Sequence, residues 1–90
     1  MSPLRRRVTV AVEHGVHARP VAELVRLAEQ HGAPVMLSTD SGQRVDLSSV
    51  LAVMDLAIAA GDEVVLEVAP SPGADALLDA LSEVLAATRR

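Results

Sequence analysis

The 90-residue sequence contains no cysteine and no aromatic side chain. Without cysteine, the chain cannot form a disulfide framework, a thiolate metal site or a cysteine nucleophile. Without Phe, Tyr or Trp, it has no side chain on which a nucleic-acid base could stack, and its net charge of -4 also argues against a nucleic-acid partner. We therefore expect a cytoplasmic protein that does not bind nucleic acid and whose core is built from Val, Leu and Ala.

Long apolar runs are missing as well, although 50% of the residues are hydrophobic and only 22% are charged. No stretch approaches the roughly 20 apolar residues of a membrane span. The apolar run that starts at Val8, after three arginines, ends at Glu13 and is shorter than the roughly 7 to 15 residues of a secretion signal. A chain this short buries only roughly 60 to 65% of its unfolded surface. We therefore expect a single domain, residues 1–90, without a membrane segment.

Apolar periodicity predicts four strands and three helices, because alternate apolar residues indicate a half-buried strand and 3.6-residue spacing indicates an amphipathic helix. Asp40 to Gly42 is typical of a hairpin turn, and Ser48 or Ser49 offers an N-cap. This order favours an α+β fold with one sheet whose helices cover a single face. In chain order the predicted elements are a strand at Arg7–Glu13, a helix that carries Val21 to Ala28 and stops at Gly32, strands at Val35–Thr39 and Gln43–Leu47, a helix at Val50–Ala60, a strand at Val64–Val68 and a helix at Ala74–Thr88.

The segment from Gly15 to Pro20 carries the clearest chemical signal, and it reads Gly-Val-His-Ala-Arg-Pro. It lies where a strand gives way to a helix, and the first N–H groups of a helix lack internal partners and attract anions. Because the residue before proline disfavours helical geometry, the helix could begin at Pro20, whereas anion binding by the backbone requires a start near Ala18. The sequence leaves that boundary open.

The residue types of this segment suit the carriage of a phosphoryl group. A neutral His17 imidazole is a competent nucleophile toward phosphorus, and the positive helix end disfavours its protonated form. The Arg19 guanidinium can donate two parallel hydrogen bonds to phosphoryl oxygens. The N–H groups of Ala18 and Arg19 would complete the site, which therefore calls for no metal and no cofactor.

These residues resemble the hallmark Gly-x-His-x-Arg-Pro of the HPr family, the phosphocarriers of the bacterial sugar phosphotransferase system. Val45 to Met54 resembles the second signature of the family, and the order of elements agrees along nearly the whole chain. The resemblance implies an open-faced β-sandwich, β-α-β-β-α-β-α, with four antiparallel strands in the order 1-4-2-3 and three helices on one face.

The resemblance also implies a function. His17 is expected to accept a phosphoryl group at its δ nitrogen, as a pros-phosphohistidine, from Enzyme I and to pass it to sugar-specific IIA components, with Arg19 as the charge partner of the phosphate. The chain would act as a carrier and co-substrate rather than as an enzyme. Ser49 matches a serine that a dedicated kinase phosphorylates in some bacteria, although a hydroxyl at a helix start also serves simply as a cap.

Partner docking is expected on the surface around this site, at Val21, Arg26, Val50, Leu51 and Met54. Val50 and Leu51 are predicted to be partly exposed and Val53 to be buried, since adaptable aliphatic and Met side chains suit a surface that meets several partners. Arg26 follows Arg19 by two helical turns, which would place both on one rim. The three arginines at 5–7 are interpreted as a solvated strand start rather than as a partner site.

Other functions remain as alternatives. The second hypothesis is a regulatory adaptor that binds a transcriptional regulator or an enzyme through Val50, Leu51 and Met54 and is switched by phosphate at Ser49 or His17. A metal site of His14 and His17 lacks acidic or thiol partners at suitable spacing, and hydrolysis lacks an evident nucleophile and orienting carboxylate. His14 and His31 are expected to be solvated, and a monomer is expected because a carrier needs one face free for successive partners.

Overall fold

The computed structural model describes residues 2–11 and 18–86, with Ala18 and Arg19 as backbone only. The predicted ends of the first strand, at Val12 and Glu13, and of the last helix, at Thr88, lie outside the described residues. In chain order the elements are β1 (Leu4–Thr9), α1 (Ala18–His31), β2 (Val35–Thr39), β3 (Arg44–Asp46), α2 (Val50–Met54), β4 (Glu63–Val68) and α3 (Ala74–Ala86).

The four strands form one antiparallel sheet in the order β1-β4-β2-β3, which confirms the expected topology. Leu66 at the centre of β4 lies opposite Arg6 of β1 on one side and Leu37 of β2 on the other. The β2–β3 hairpin turns through Asp40 to Gly42, where Gly42 takes a φ of +93° that an L side chain rarely adopts. The hairpin predicted from that turn is therefore confirmed.

The core lies between the sheet and the three helices and consists of aliphatic side chains. In β4, alternate residues Val64, Leu66 and Val68 are buried, as expected for a strand with one covered face. The helices add side chains at helical spacing, which confirms the predicted apolar faces. The helix residues that complete the core are Val21, Leu24, Val25 and Ala28 of α1, Val53 of α2, and Ala74, Leu77, Leu78, Leu81 and Leu85 of α3.

The start of β1 differs from the prediction, because the strand begins at Leu4 rather than at Arg7. Leu4 pairs with Val68 and packs against the core, and Arg6 follows on the same face of the strand as Val8. The long apolar stem of an arginine can occupy a half-buried strand position while its charged end reaches solvent. The strand therefore includes the three arginines, although the charges of the first two made them look like a segment before the strand.

Helix α2 is also shorter than predicted, since it ends at Met54 rather than at Ala60. Leu56 and Ala57 donate to the carbonyls of Val53 and Met54, in tighter turns than an α-helix, and Ala57 has a positive φ of 53°. Val53 and Ile58 are both buried. Five residues on a continuous helix differ by about 140° in direction, so the helix has to end for both side chains to reach the core.

The open face of the sheet carries a line of ion pairs. Glu67 of β4 contacts Arg5 of β1 at 2.6 Å and Arg44 of β3 at 3.2 Å, so that one carboxylate links both edge strands to the interior of the sheet. Arg7 pairs with Glu63 on the same face, and Arg6 pairs with Asp79 of α3. The arginines at 5–7 thus lie at the start of a strand, as predicted, and their side chains also pair with carboxylates of the same chain.

Candidate functional site

The residues Val12 to His17, which include the first half of the candidate motif, lie outside the described residues. The structure instead describes the two ends between which they run. At the first end, the N–H of Val10 donates to the carbonyl of Asp62 at 2.8 Å, and the carbonyl of Val10 accepts from the N–H of Gly61 at 2.7 Å. The N–H of Ala11 donates to the carbonyl of Leu85 in α3 at 3.0 Å. Where the chain enters the segment 12–17, its backbone is therefore hydrogen-bonded both to the loop before β4 and to α3.

At the second end, α1 begins at Ala18, directly after the position of His17. This finding settles the boundary that the sequence left open, and it places Pro20 in the first turn of the helix. There the missing N–H of proline removes no intrahelical hydrogen bond. Because the segment from Ala18 to Val21 contains no acidic residue, no side-chain charge of that turn offsets the positive end of the helix dipole.

Ser49, and not Ser48, is the N-cap of α2. Its backbone is extended, with φ of −127°, and its side-chain oxygen accepts a hydrogen bond from the N–H of Ala52 at 3.1 Å. The N–H of Ser48 instead donates to the carboxylate of Asp46 at 2.9 Å. A hydroxyl at position 49 thus has a structural use in the unmodified chain.

Helix α2 presents an apolar surface to solvent. Leu51 is 76% exposed and Met54 is 41% exposed, and they are the large hydrophobic side chains that the described part of the chain exposes. Val50 is half-buried, and Val53, which faces the core, is fully buried. These exposures confirm the prediction for the helix. Helix α2 packs against α1, so the helix that carries this surface is a direct neighbour of the first helix.

Val21 does not belong to a docking surface, and that prediction is wrong. Its side chain is fully buried together with Leu24 and Val25 on the covered face of α1. The helical spacing that predicted this apolar face already includes position 21. A residue in the core cannot contact a partner without local unfolding. Val21 is therefore not one of the docking residues.

Arg26 lies on the exposed side of α1, but it is already engaged. Its Nε donates to Oε1 of Glu23 at 3.0 Å, and its Nη2 contacts Oε2 of the same carboxylate. The hydrogen bond from Arg26 lowers the pKa of Glu23, and the pKa of Arg26 is raised in return. The role of Glu23 was missed in the sequence, although an acidic residue three positions before an arginine on a helix is a known pairing signal.

His31 lies away from the start of α1, at the other end of that helix. The ring nitrogen Nε2 of His31 lies 3.0 Å from the hydroxyl of Ser71, which in turn donates to the carbonyl of Ala69. This contact ties the end of α1 to the loop before α3. His14, which was weighed with His17 as a metal site, lies outside the described residues.

Comparison with known proteins agrees with this geometry. The family described as "PTS HPr component phosphorylation site" matches residues 4–87. A phosphocarrier protein HPr from Streptomyces coelicolor is 40% identical over 81 residues, which are 90% of this chain and 86% of the relative. One from Haloferax volcanii is 41% identical over 83 residues, or 91% and 92% of the two chains. A crystal structure of an HPr from Bacillus anthracis has a TM-score of 0.83 at 29% identity and covers 94% of this chain and 99% of that one.

The sheet order, the three helices and the matched family define a phosphocarrier domain. The chain belongs to the HPr family of the sugar phosphotransferase system, whose role is to carry a phosphoryl group from Enzyme I to IIA components. Among the helices of the described residues, none has the length and apolarity that crossing a membrane requires.

Proposed function

We propose that His17 is the residue on which this chain carries its phosphoryl group and that its δ nitrogen is the acceptor. The observation that carries the proposal is the start of α1 at Ala18, one residue after His17. A negatively charged group bound to that side chain would lie at the positive end of a 14-residue helix. The positive end of α1 would thus stabilise the negative charge of a phosphoryl group on His17.

The chemistry requires little beyond this arrangement. A lone pair on neutral His17 forms the N–P bond while the bond from phosphorus to the donor breaks, and the reverse exchange delivers the group to the acceptor. The amides of Ala18 and Arg19 and the Arg19 guanidinium are the proposed hydrogen-bond donors to the phosphoryl oxygens. Catalysis then rests on positioning and on charge stabilisation, and the chain acts as a co-substrate that turns over no small molecule alone.

The proposed partners are Enzyme I as donor and sugar-specific IIA proteins as acceptors, which the monomeric, single-domain chain meets in succession in the cytoplasm. Their docking surface consists of Val50, Leu51, Met54 and Arg26. The exposure of Leu51 and Met54 supports this assignment, because large hydrophobic side chains grouped on a short helix provide an apolar contact area.

The test is incubation with phosphoenolpyruvate and a cognate Enzyme I, followed by measurement of the intact mass. We expect a gain of one phosphoryl group that is labile in acid and stable in base, as a phosphohistidine is, and no gain in the His17→Ala variant. His31→Ala is the matched control, because that histidine lies at the far end of α1, and this variant should be phosphorylated normally. A gain that persists in His17→Ala would assign the site elsewhere.

A second candidate function is the regulatory adaptor, in which phosphate on Ser49 switches binding at the α2 surface. The N-cap geometry supports it, since a phosphate at position 49 would lie at a helix start and next to exposed Leu51. A serine kinase would phosphorylate Ser49, and a transcriptional regulator would be one kind of protein whose binding depends on that phosphate.

A further inference from the structure

Each arginine whose side chain the structure describes already contacts a carboxylate of the same chain. An acidic partner therefore meets no unpaired guanidinium among these described side chains and must compete with an internal carboxylate. The pairs are Arg5 with Glu67, Arg6 with Asp79, Arg7 with Glu63, Arg26 with Glu23 and Arg44 with Glu67.

Arg26 differs from the other four in its position. Those four lie on strands of the sheet, whereas Arg26 lies on α1, the helix that begins next to His17. It follows position 19 by seven residues, which puts both positions on one side of the helix and about 10.5 Å apart along its axis. A partner that reaches the phosphoryl site along this side of α1 therefore passes Arg26.

The pair that Arg26 forms is well oriented but open to solvent. Both oxygens of the Glu23 carboxylate contact the guanidinium, as in a forked carboxylate–arginine contact. The two side chains are 53% and 42% exposed. An exposed ion pair is screened by salt and costs little to open, so a partner carboxylate can displace Glu23.

Given the proposed phosphocarrier function, we infer that Glu23 attenuates docking: its carboxylate occupies Arg26 until the acidic surface of a phosphoryl donor displaces it. The inferred partner is a protein surface with grouped Asp or Glu side chains. Several carboxylates attract Arg26 more strongly than the single carboxylate of Glu23 does. A neutral surface offers no carboxylate to Arg26, so its docking does not depend on whether Glu23 occupies the guanidinium. Glu23 thus slows encounters with acidic partners in particular, because only those partners have to displace it from Arg26.

The experiment measures the rate constant of phosphorylation by Enzyme I, at limiting concentration and low salt, for Glu23→Gln. Glu29→Gln is the matched control, because it removes one charge from the same helix and the structure gives Glu29 no ion pair within the described part of the chain. We expect Glu23→Gln to raise the rate constant about two- to threefold more than Glu29→Gln does. The difference should vanish at high salt.

The same pair of substitutions in an Arg26→Gln background isolates the coupling. There Glu23→Gln should have only the effect of Glu29→Gln, since no guanidinium remains to be released. Equal effects of the two substitutions in the native background would overturn the inference, as would an unchanged advantage of Glu23→Gln without Arg26. A chain that Enzyme I does not phosphorylate at all would instead contradict the proposed function, so the two failures are distinguishable.

Discussion

The N–H of Ala11 lies 3.0 Å from the carbonyl oxygen of Leu85, so that the last helix holds the chain at the residue before the undescribed segment 12–17 begins. Leu85 is fully buried, and its side chain fixes the last turn of α3 against the core. The segment that leads to the proposed phosphoryl site is therefore anchored by a helix that is distant in sequence.

Replacement of Leu85 by Ala should loosen this contact beyond its effect on overall stability. We expect a loss of about 2 to 5 kcal/mol in the free energy of unfolding and faster hydrogen exchange of the Ala11 amide. Leu81→Ala is the control, because Leu81 is equally buried one turn earlier in α3. If the Ala11 amide is no less protected in Leu85→Ala than in Leu81→Ala after correction for stability, the last turn of α3 does not anchor this segment.

Substitutions of Ser49 can distinguish the effect of its helix cap on stability from the effect of a negative charge on binding. Ser49→Ala should lower the free energy of unfolding by about 1 kcal/mol, because the N–H of Ala52 loses its acceptor. Ser49→Asp keeps a cap, so its stability should change little, while the charge beside Leu51 should weaken binding to Enzyme I.

The control for Ser49 is Ser48, whose side chain is exposed and does not cap the helix. Ser48→Ala should leave stability nearly unchanged, and Ser48→Asp should weaken binding less than Ser49→Asp. Calorimetric titration with Enzyme I measures both. Equal affinities of Ser49→Asp and the native chain would rule out a charge switch at this position.

Ala57 is held in the left-handed region with φ of 53°, where an alanine side chain is strained. Ala57→Gly should raise the free energy of unfolding by about 0.5 to 1 kcal/mol, the relief of strain less the greater flexibility of glycine in the unfolded chain. Ala60→Gly is the matched control, because Ala60 is also exposed and has no positive φ, and it should be neutral or destabilising. Thermal unfolding compares the two, and a lower midpoint for Ala57→Gly than for the native chain would contradict the expectation.

The Glu23–Arg26 pair predicts a pH dependence. Its hydrogen bond lowers the pKa of Glu23 in the folded chain, so the pair stabilises the fold above the ordinary range of a glutamate. That contribution is lost as the pH falls through the lowered pKa. Titration of the Glu23 carboxyl carbon by NMR should give a higher pKa in Arg26→Gln than in the native chain, whereas Arg44→Gln should leave it unchanged. The same pKa in all three would show that the pair does not form in solution.

Local patterns were enough to predict the order of the elements, the apolar faces and the cap at one of two serines. Contacts between distant residues decided what the patterns missed. The short α2 follows from the need to bury both Val53 and Ile58, which no local spacing shows, and the early start of β1 follows from pairing with β4. For Val21 the local pattern was sufficient, because its helical spacing already predicted burial. It was assigned to the docking surface only because it lies close to the motif in sequence.

The sequence predicted the residues of the site but left the start of its helix as a choice between two positions. The preference of the residue before proline for extended geometry favoured Pro20, and the need for free amides favoured Ala18. The structure has the earlier start. The ion pair of Arg26 follows from spacing along one helix, whereas the link from Arg5 through Glu67 to Arg44 depends on strand order and register, which one sequence alone does not determine.

The most direct test of the central claim is a pair of NMR spectra of the ¹⁵N-labelled chain, recorded before and after phosphorylation. We expect phosphate on the δ nitrogen of His17 and a downfield shift of the amide protons of Ala18 and Arg19 as they donate to it. Phosphate on another residue, or unmoved amides at the start of α1 in a chain phosphorylated at His17, would contradict the claim.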